Sequence, residues 1–268
     1  MSPGYILAAQ ARRLMKALLS ARGLRRSFGH IRALDGADFD INPGEVVGLI
    51  GDNGAGKSTL IKALSGNLAL DEGEITFDGN RVNLDSPGAA TALGIEVVYQ
   101  DLALAPHLNA VDNVFLGREK PRPGLLGKLG FMDEKRMRSE AADAFLELGA
   151  TVRSLSDPVG AMSGGQRQGI AIARAMNWAD KVIILDEPTA ALGVVQTKNV
   201  LDSIRRVKDR GIAVIFISHT MPHVLEVCDR VQVLRLGRRV AAYERGEATA
   251  ETLVGAMTGA LDMDGGTK

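Results

Sequence analysis

The feature that most constrains this chain is a short apolar run, Val46–Ile50, that leads directly into Gly51-Asp52-Asn53-Gly54-Ala55-Gly56-Lys57-Ser58-Thr59. A buried strand, a glycine-rich loop and a helix in immediate succession fit the pattern G-x-x-x-x-G-K-[ST]. The glycines let successive backbone N–H groups turn inward around phosphate oxygens, and the helix N-terminus adds its positive end. Lys57 is expected to reach the β and γ phosphates, and the Ser58 hydroxyl to ligate Mg²⁺. A glycine-rich turn followed by an accidental Lys-Ser would look the same without the strand before it and the helix after it.

Short β-branched runs alternate with longer amphipathic ones along the chain, which predicts an α/β fold with a mostly parallel sheet flanked by helices. Glu45–Ile50, Val97–Gln100, Lys181–Leu185 and Ala213–Ser218 read as buried strands, and Ser58–Leu64 and Gln196–Arg210 as crossover helices. Ala33–Ile41 and Gly73–Asp78 alternate apolar and polar residues, as in a small half-exposed antiparallel sheet. From about Asp101 to Gly160 the chain is rich in Pro and Gly, with a helical Glu134–Leu148, and reads as a largely helical insertion.

The run Val182–Leu185 ends in Asp186-Glu187-Pro188. A buried parallel strand thereby delivers two adjacent carboxylates to the edge where open α/β sheets bind ligands. Asp186 is expected to hold Mg²⁺, directly or through water, and Glu187 to polarise the water that attacks a γ-phosphate. By itself such a strand end is commonly a solvated turn; the loop at Gly51 gives it a partner.

Composition narrows the class. Lys plus Arg (32) equals Asp plus Glu (32), so no global field of either sign attracts nucleic acid or an anionic membrane. The lone Cys228 cannot form an intrachain disulfide and reads as a small buried hydrophobe rather than a nucleophile. No apolar run approaches the roughly 20 residues needed to span a bilayer. No acid precedes Asp35, whereas Arg12, Arg13, Lys16, Arg22, Arg25, Arg26 and Arg32 do, giving a basic arm expected to be solvated, the alternative being an arm laid on a membrane surface or a phosphate backbone. Met15 opens a segment that resembles a natural start, so residues 1–14 are expected to be an upstream extension.

Three further motifs identify the chain as resembling a particular family. Met162-Ser163-Gly164-Gly165-Gln166 is similar to the LSGGQ signature of ATP-binding cassette (ABC) ATPases, with Met162 in place of Leu. Gln100 resembles the Q-loop glutamine and His219 the switch histidine, and the motifs occur in family order over roughly Leu24–Tyr243. The resemblance implies a RecA-like P-loop NTPase core with a small antiparallel β subdomain and a helical subdomain at about 101–170. It divides the chain into a basic extension (1–20), the ATPase domain (21–246) and a tail (247–268).

The resemblance further implies that Phe28 stacks on adenine, that Gln100 contributes to the Mg²⁺ site, and that His219 hydrogen-bonds the γ-phosphate and orients Glu187. Ser163, Gly164, Gly165 and Gln166 open a second helix suited to an anion. In the family that end meets ATP only across a head-to-tail dimer, so a second copy of this chain is the expected partner. One departure stands out. Ala191-Leu192-Gly193 carries Gly where the family commonly has Asp, which is expected to weaken coupling between sites.

The segment Leu102–Leu116, together with Ser218–Val224, Arg235–Arg239 and Met257–Ala260, is similar to single-cassette bacterial monosaccharide importers. That implies a separate membrane permease, a solute-binding protein acting indirectly, and a cytoplasmic position on the inner face of the membrane. The alternative is a soluble ABC-type ATPase serving a regulatory or assembly role without a permease. A generic P-loop kinase is a third class, but it has no use for Met162–Gln166.

Overall fold

The computed structural model describes residues 17–150, 152, 154–190 and 192–260. The basic residues Arg12, Arg13 and Lys16, the start at Met15, and Ala191 lie outside the described residues. Strands β3 (Val46–Ile50), β6 (Ile95–Val98), β7 (Val182–Asp186), β8 (Ala213–Ile217), β9 (Arg230–Arg235) and β10 (Arg238–Glu244) form a six-stranded sheet. Its order is β10-β9-β3-β8-β7-β6, parallel throughout except for the β9–β10 hairpin. Strands β1 (Leu19–Phe28), β2 (Ile31–Ile41), β4 (Glu72–Phe77) and β5 (Asn80–Val82) form an antiparallel sheet ordered β2-β1-β4-β5.

The helices are α1 (Lys57–Leu64), α2 (Pro87–Ala92), α3 (Ala110–Phe115), α4 (Leu125–Lys128), α5 (Glu134–Leu148), α6 (Gly164–Trp178), α7 (Val194–Asp209), α8 (Met221–Val227) and α9 (Ala250–Thr258). Alternate residues of the parallel strands enter different cores. Val46, Ile50, Ile183, Leu185, Val214 and Phe216 pack with α5, α6 and α7. Val47, Leu49, Val182, Ile184, Ile215 and Ile217 pack with α1 and the antiparallel sheet. Burial on both faces is why these strands read as continuous apolar runs, and each fully buried aliphatic side chain stabilises by roughly 1.5–3 kcal/mol.

The architecture is the ABC ATPase fold expected from the sequence, and several elements extend it. Strand β1 escapes the alternation because Gly23 and the nearby arginines interrupt it and its pairing with β2 shifts register three times. It begins at Leu19, inside the expected extension, because Leu19 and Ala21 are buried. The expected tail contains α9, which opens with a Thr249/Thr252 capping box and buries Leu253 and Ala256. Cys228 is buried as expected, and burial pushes its thiol pKa well up.

Candidate active site

β3 ends at Ile50 and α1 starts at Lys57, so Gly51–Gly56 wraps the C-terminal edge of the parallel sheet. Two positions require glycine. A Cβ on Gly51 would stand 2.3 Å from the Leu234 carbonyl oxygen, and Gly56 has φ 103° with a virtual Cβ 2.5 Å from the Ala33 oxygen. Gly56 caps α1 with no side-chain acceptor, which leaves the first backbone N–H groups of the helix available to an anion. Ser58 is exposed beside them.

Lys57 is buried, and its Nζ donates to the carbonyl oxygens of Gly51 (2.7 Å) and Asp52 (3.1 Å). Burial lowers its pKa, opposed by the nearby carboxylates of Glu187, Asp186 and Asp52. Burial likewise raises Asp186, opposed by Lys57 and His219. Glu187 is also raised, first by burial, with His219 and Lys57 opposing and Asp186 adding to the rise. Its backbone has φ 52°, unusual for a residue with a side chain, and its N–H donates to the Ile217 carbonyl (3.0 Å). His219 follows β8, the strand paired with β7, so its Nε2 lies 3.2 Å from Glu187 Oε1.

Lys57, Asp186, Glu187 and His219 therefore converge on one sheet edge. Gln100 lies exposed just beyond β6, on the same strand-end side. The loop after it turns through Leu102 (φ 61°) and Ala103 (φ 44°), whose carbonyls accept from Arg174 of α6 at 2.9 and 2.8 Å. Buried Asn113 ties the same loop down through Ala105, Leu108 and Asn109. Phe28 is half exposed at the end of β1, with the Arg26 guanidinium 5.2 Å from its ring centroid and Arg26 held to Asp71. Asp52, Asn53 and Gly54 are exposed and Thr59 half-buried.

The signature residues stand apart. Ser163 caps α6, its Oγ accepting from Gln166 N–H while its own N–H donates to Gln166 Oε1 at 3.0 Å. Ser163, Gly165 and Gln166 line a cavity of about 420 Å³ with Val195, Gln196 and Asn199 of α7. Among the described residues no hydrogen bond or ion pair joins Ser163–Gln166 to Gly51–Thr59. Sequence reasoning missed Thr189 and His223, whose Oγ1 and Nδ1 lie 3.2 Å apart and tie the turn after Glu187 to α8. His223 lies within α8 and His219 in the turn before it, so no regular spacing in the sequence pointed to this contact.

The sequence matches the family described as ABC transporter over residues 34–190. The fructose import ATP-binding protein of Rhizobium meliloti is 49% identical over 247 residues, covering 91% of this chain and 95% of that protein. The xylose/arabinose import ATP-binding protein of Sulfolobus acidocaldarius is 43% identical, covering 91% and 95%. A ribose import ATP-binding protein of Burkholderia pseudomallei is 42% identical, and the match spans 90% of this chain but 46% of that protein. A solved nucleotide-free ATP-binding cassette from an ABC transporter superposes with a TM-score of 0.75 at 27% identity, covering 87% of this chain and 93% of that one. With the family matched over more than half of its length, and with such relatives along nearly all of it, the chain belongs to the ABC transporter family.

Proposed function

We propose that this chain is the ATP-hydrolysing subunit of an importer for monosaccharides, energising a separate membrane permease from the cytoplasmic face. The carrying observation is the convergence of Lys57, Asp186, Glu187 and His219 at the end of the parallel sheet, in a chain whose relatives are named as fructose, xylose/arabinose and ribose import ATP-binding proteins. Among the described residues no helix is long and apolar enough to cross a membrane.

In this reading Phe28 stacks on adenine, and the loop from Gly51 to Thr59, with Asp52, Asn53, Gly54, Ala55 and Gly56, cradles the phosphates. Lys57 exchanges its contacts with the loop carbonyls for β and γ phosphate oxygens. Glu187 accepts a proton from the attacking water while His219 holds the carboxylate and the γ-phosphate in register. The Ser58 hydroxyl, the Asp186 carboxylate and the Gln100 amide oxygen are hard donors suited to Mg²⁺. Mg²⁺ supplies charge neutralisation on the transferring phosphoryl group.

The separation of Ser163–Gln166 from the phosphate loop supports a head-to-tail dimer in which each signature serves the partner's nucleotide. ATP then joins two copies and its hydrolysis releases them. The test is purification of tagged Glu187→Gln from detergent-solubilised membranes with ATP and Mg²⁺, followed by identification of its partners. A multi-pass permease and a sugar-binding protein are expected. Recovery of a soluble dimer alone, under conditions that preserve a known importer, overturns the transport reading.

A further inference from the structure

We propose that the arm from Lys120 to Met132 is a lipid-contact element that rests its apolar tip on an anionic bilayer surface. Among the described residues, five of the fourteen exposed large hydrophobic ones, Leu125, Leu126, Leu129, Phe131 and Met132, fall within eight consecutive positions, and Leu125 and Leu129 are 72% and 65% exposed. Single exposed apolar residues are ordinary, whereas a contiguous cluster marks a contact surface. Every residue from Pro121 to Met132 is exposed except Gly127, which is intermediate. That pattern suits a protrusion entering a yielding medium better than a seat for a partner helix, which is lined by half-buried side chains.

Part of the arm's backbone is paired within the arm itself. At its base Arg122 N–H donates to Phe131 (2.8 Å) and Asp133 N–H to Lys120 (2.7 Å). At its tip Leu129, Gly130 and Phe131 donate to Leu125, Gly127 and Leu126. Pairing of this kind is what an apolar interface demands, because a polar backbone group carried out of water without a partner is costly.

Charge names the occupant. Between Glu119 and Asp133 the chain carries Lys120, Arg122 and Lys128 and no acid. Lys120 pairs with Glu140 of α5, while Arg122 donates to the Met132 carbonyl at 3.2 Å. Among the described residues neither Arg122 nor Lys128 forms an ion pair with a carboxylate. Apolar side chains beside free cations are the composition of an interfacial anchor on anionic lipid.

The arm is fixed to the core rather than loosely attached. Arg118 bonds Glu96 at 2.6 Å and lies 4.9 Å over the Trp178 ring, and Lys120 lies 5.6 Å over Phe115. These contacts join the base of the arm to β6, the strand that leads to Gln100.

The test is co-sedimentation of the full chain with vesicles of equal parts phosphatidylglycerol and phosphatidylcholine, compared with phosphatidylcholine alone. Binding to the anionic vesicles at low salt, weakened by added salt, is expected. The double variant Arg122→Gln/Lys128→Gln should lose about 10- to 30-fold in partitioning, at about five-fold per cation. The triple variant Leu125→Ser/Leu129→Ser/Phe131→Ser should lose binding while its ATP affinity, measured in parallel as a control for folding, is unchanged. As a second readout, Leu129→Trp emission should shift to the blue when anionic vesicles are added.

Absence of wild-type binding at low salt overturns the proposal, as does equal binding to neutral vesicles or retention of binding by the triple variant. Self-association of the wild type without vesicles, lost in the triple variant, would assign the patch to a second copy instead. None of these outcomes depends on ATP hydrolysis or transport.

Discussion

His219 Nε2 lies 3.2 Å from Glu187 Oε1, yet that oxygen is buried and accepts no hydrogen bond among the described residues. The imidazole favours the charged carboxylate, as does a hydrogen bond from the His219 backbone. Glu187 thus keeps a lone pair free in a partly desolvated site, at a backbone conformation that few side-chain-bearing residues adopt. A carboxylate held in this way is suited to accept a proton.

Glu187→Gln keeps the shape and removes the base. ATP hydrolysis should fall by about 10²- to 10⁴-fold while nucleotide binding survives. Steady-state phosphate release measured beside equilibrium nucleotide binding separates the two, and near-normal turnover would rule out Glu187 as the base.

The raised pKa values of Asp186 and Glu187 give two linked outcomes of defined sign. Hydrolysis should decline on acidification at a pH above the ordinary carboxylate range, because Glu187 must be deprotonated to act. The folded state meanwhile bears the cost of holding Glu187 charged above its folded pKa, and that cost disappears below its unfolded value. Nucleotide-free Glu187→Gln should therefore melt higher than wild type at neutral pH, by about 2–4 °C for each ~1 kcal/mol relieved. The advantage should shrink as the pH is lowered, and thermal melts across a pH series would reveal the opposite trend if the sign were wrong.

Arg230 bridges the two sheets by bonding Asp40 of β2 at 2.6 Å and buried Glu45 at 3.0 Å, with Arg239 and Gln232 completing the network. Burial opposes its charge, but Glu45 and Asp40 outweigh that and hold the guanidinium more firmly protonated than usual. Arg230→Ala strands the Glu45 carboxylate and should cost roughly 3–5 kcal/mol, read as a lower urea midpoint. A loss under ~1 kcal/mol would mean that water or another cation replaces it.

Gly193 caps α7 in an extended conformation with no side-chain acceptor. Gly193→Asp supplies one, at an end that favours negative charge, and its Cβ meets only the movable Gln196 Oε1 at 2.7 Å. A gain of a few tenths of a kcal/mol is expected in chemical denaturation. If Gly193 weakens communication between two sites, the same variant should raise the cooperativity of ATP hydrolysis.

Cys228 packs against Gly48 of β3, where an added Cβ would stand 3.0 Å from its sulfur. Buried and with its thiol pKa raised, it should resist alkylation until the fold opens. Labelling by iodoacetamide should therefore track unfolding across a denaturant series, and rapid modification of the native protein would contradict this packing.

The sequence alone determined the phosphate loop, the paired carboxylates and four of the buried parallel strands. Each is encoded locally: glycines at fixed offsets from Lys57, four apolar residues before Asp186, and strand-length runs buried on both faces. Other features required the tertiary structure, because they depend on which distant segments meet. Neither the Glu187–His219 approach nor the Thr189–His223 contact follows from spacing, since each depends on β7 and β8 being neighbours in the sheet. Strand β1, built around Gly23 and arginines, has no period of its own and is a strand because β2 and β4 flank it. The exposed arm at Leu125–Met132 was equally hidden. Its apolar residues resemble core in the sequence, and only the packed fold decides that they remain outside it.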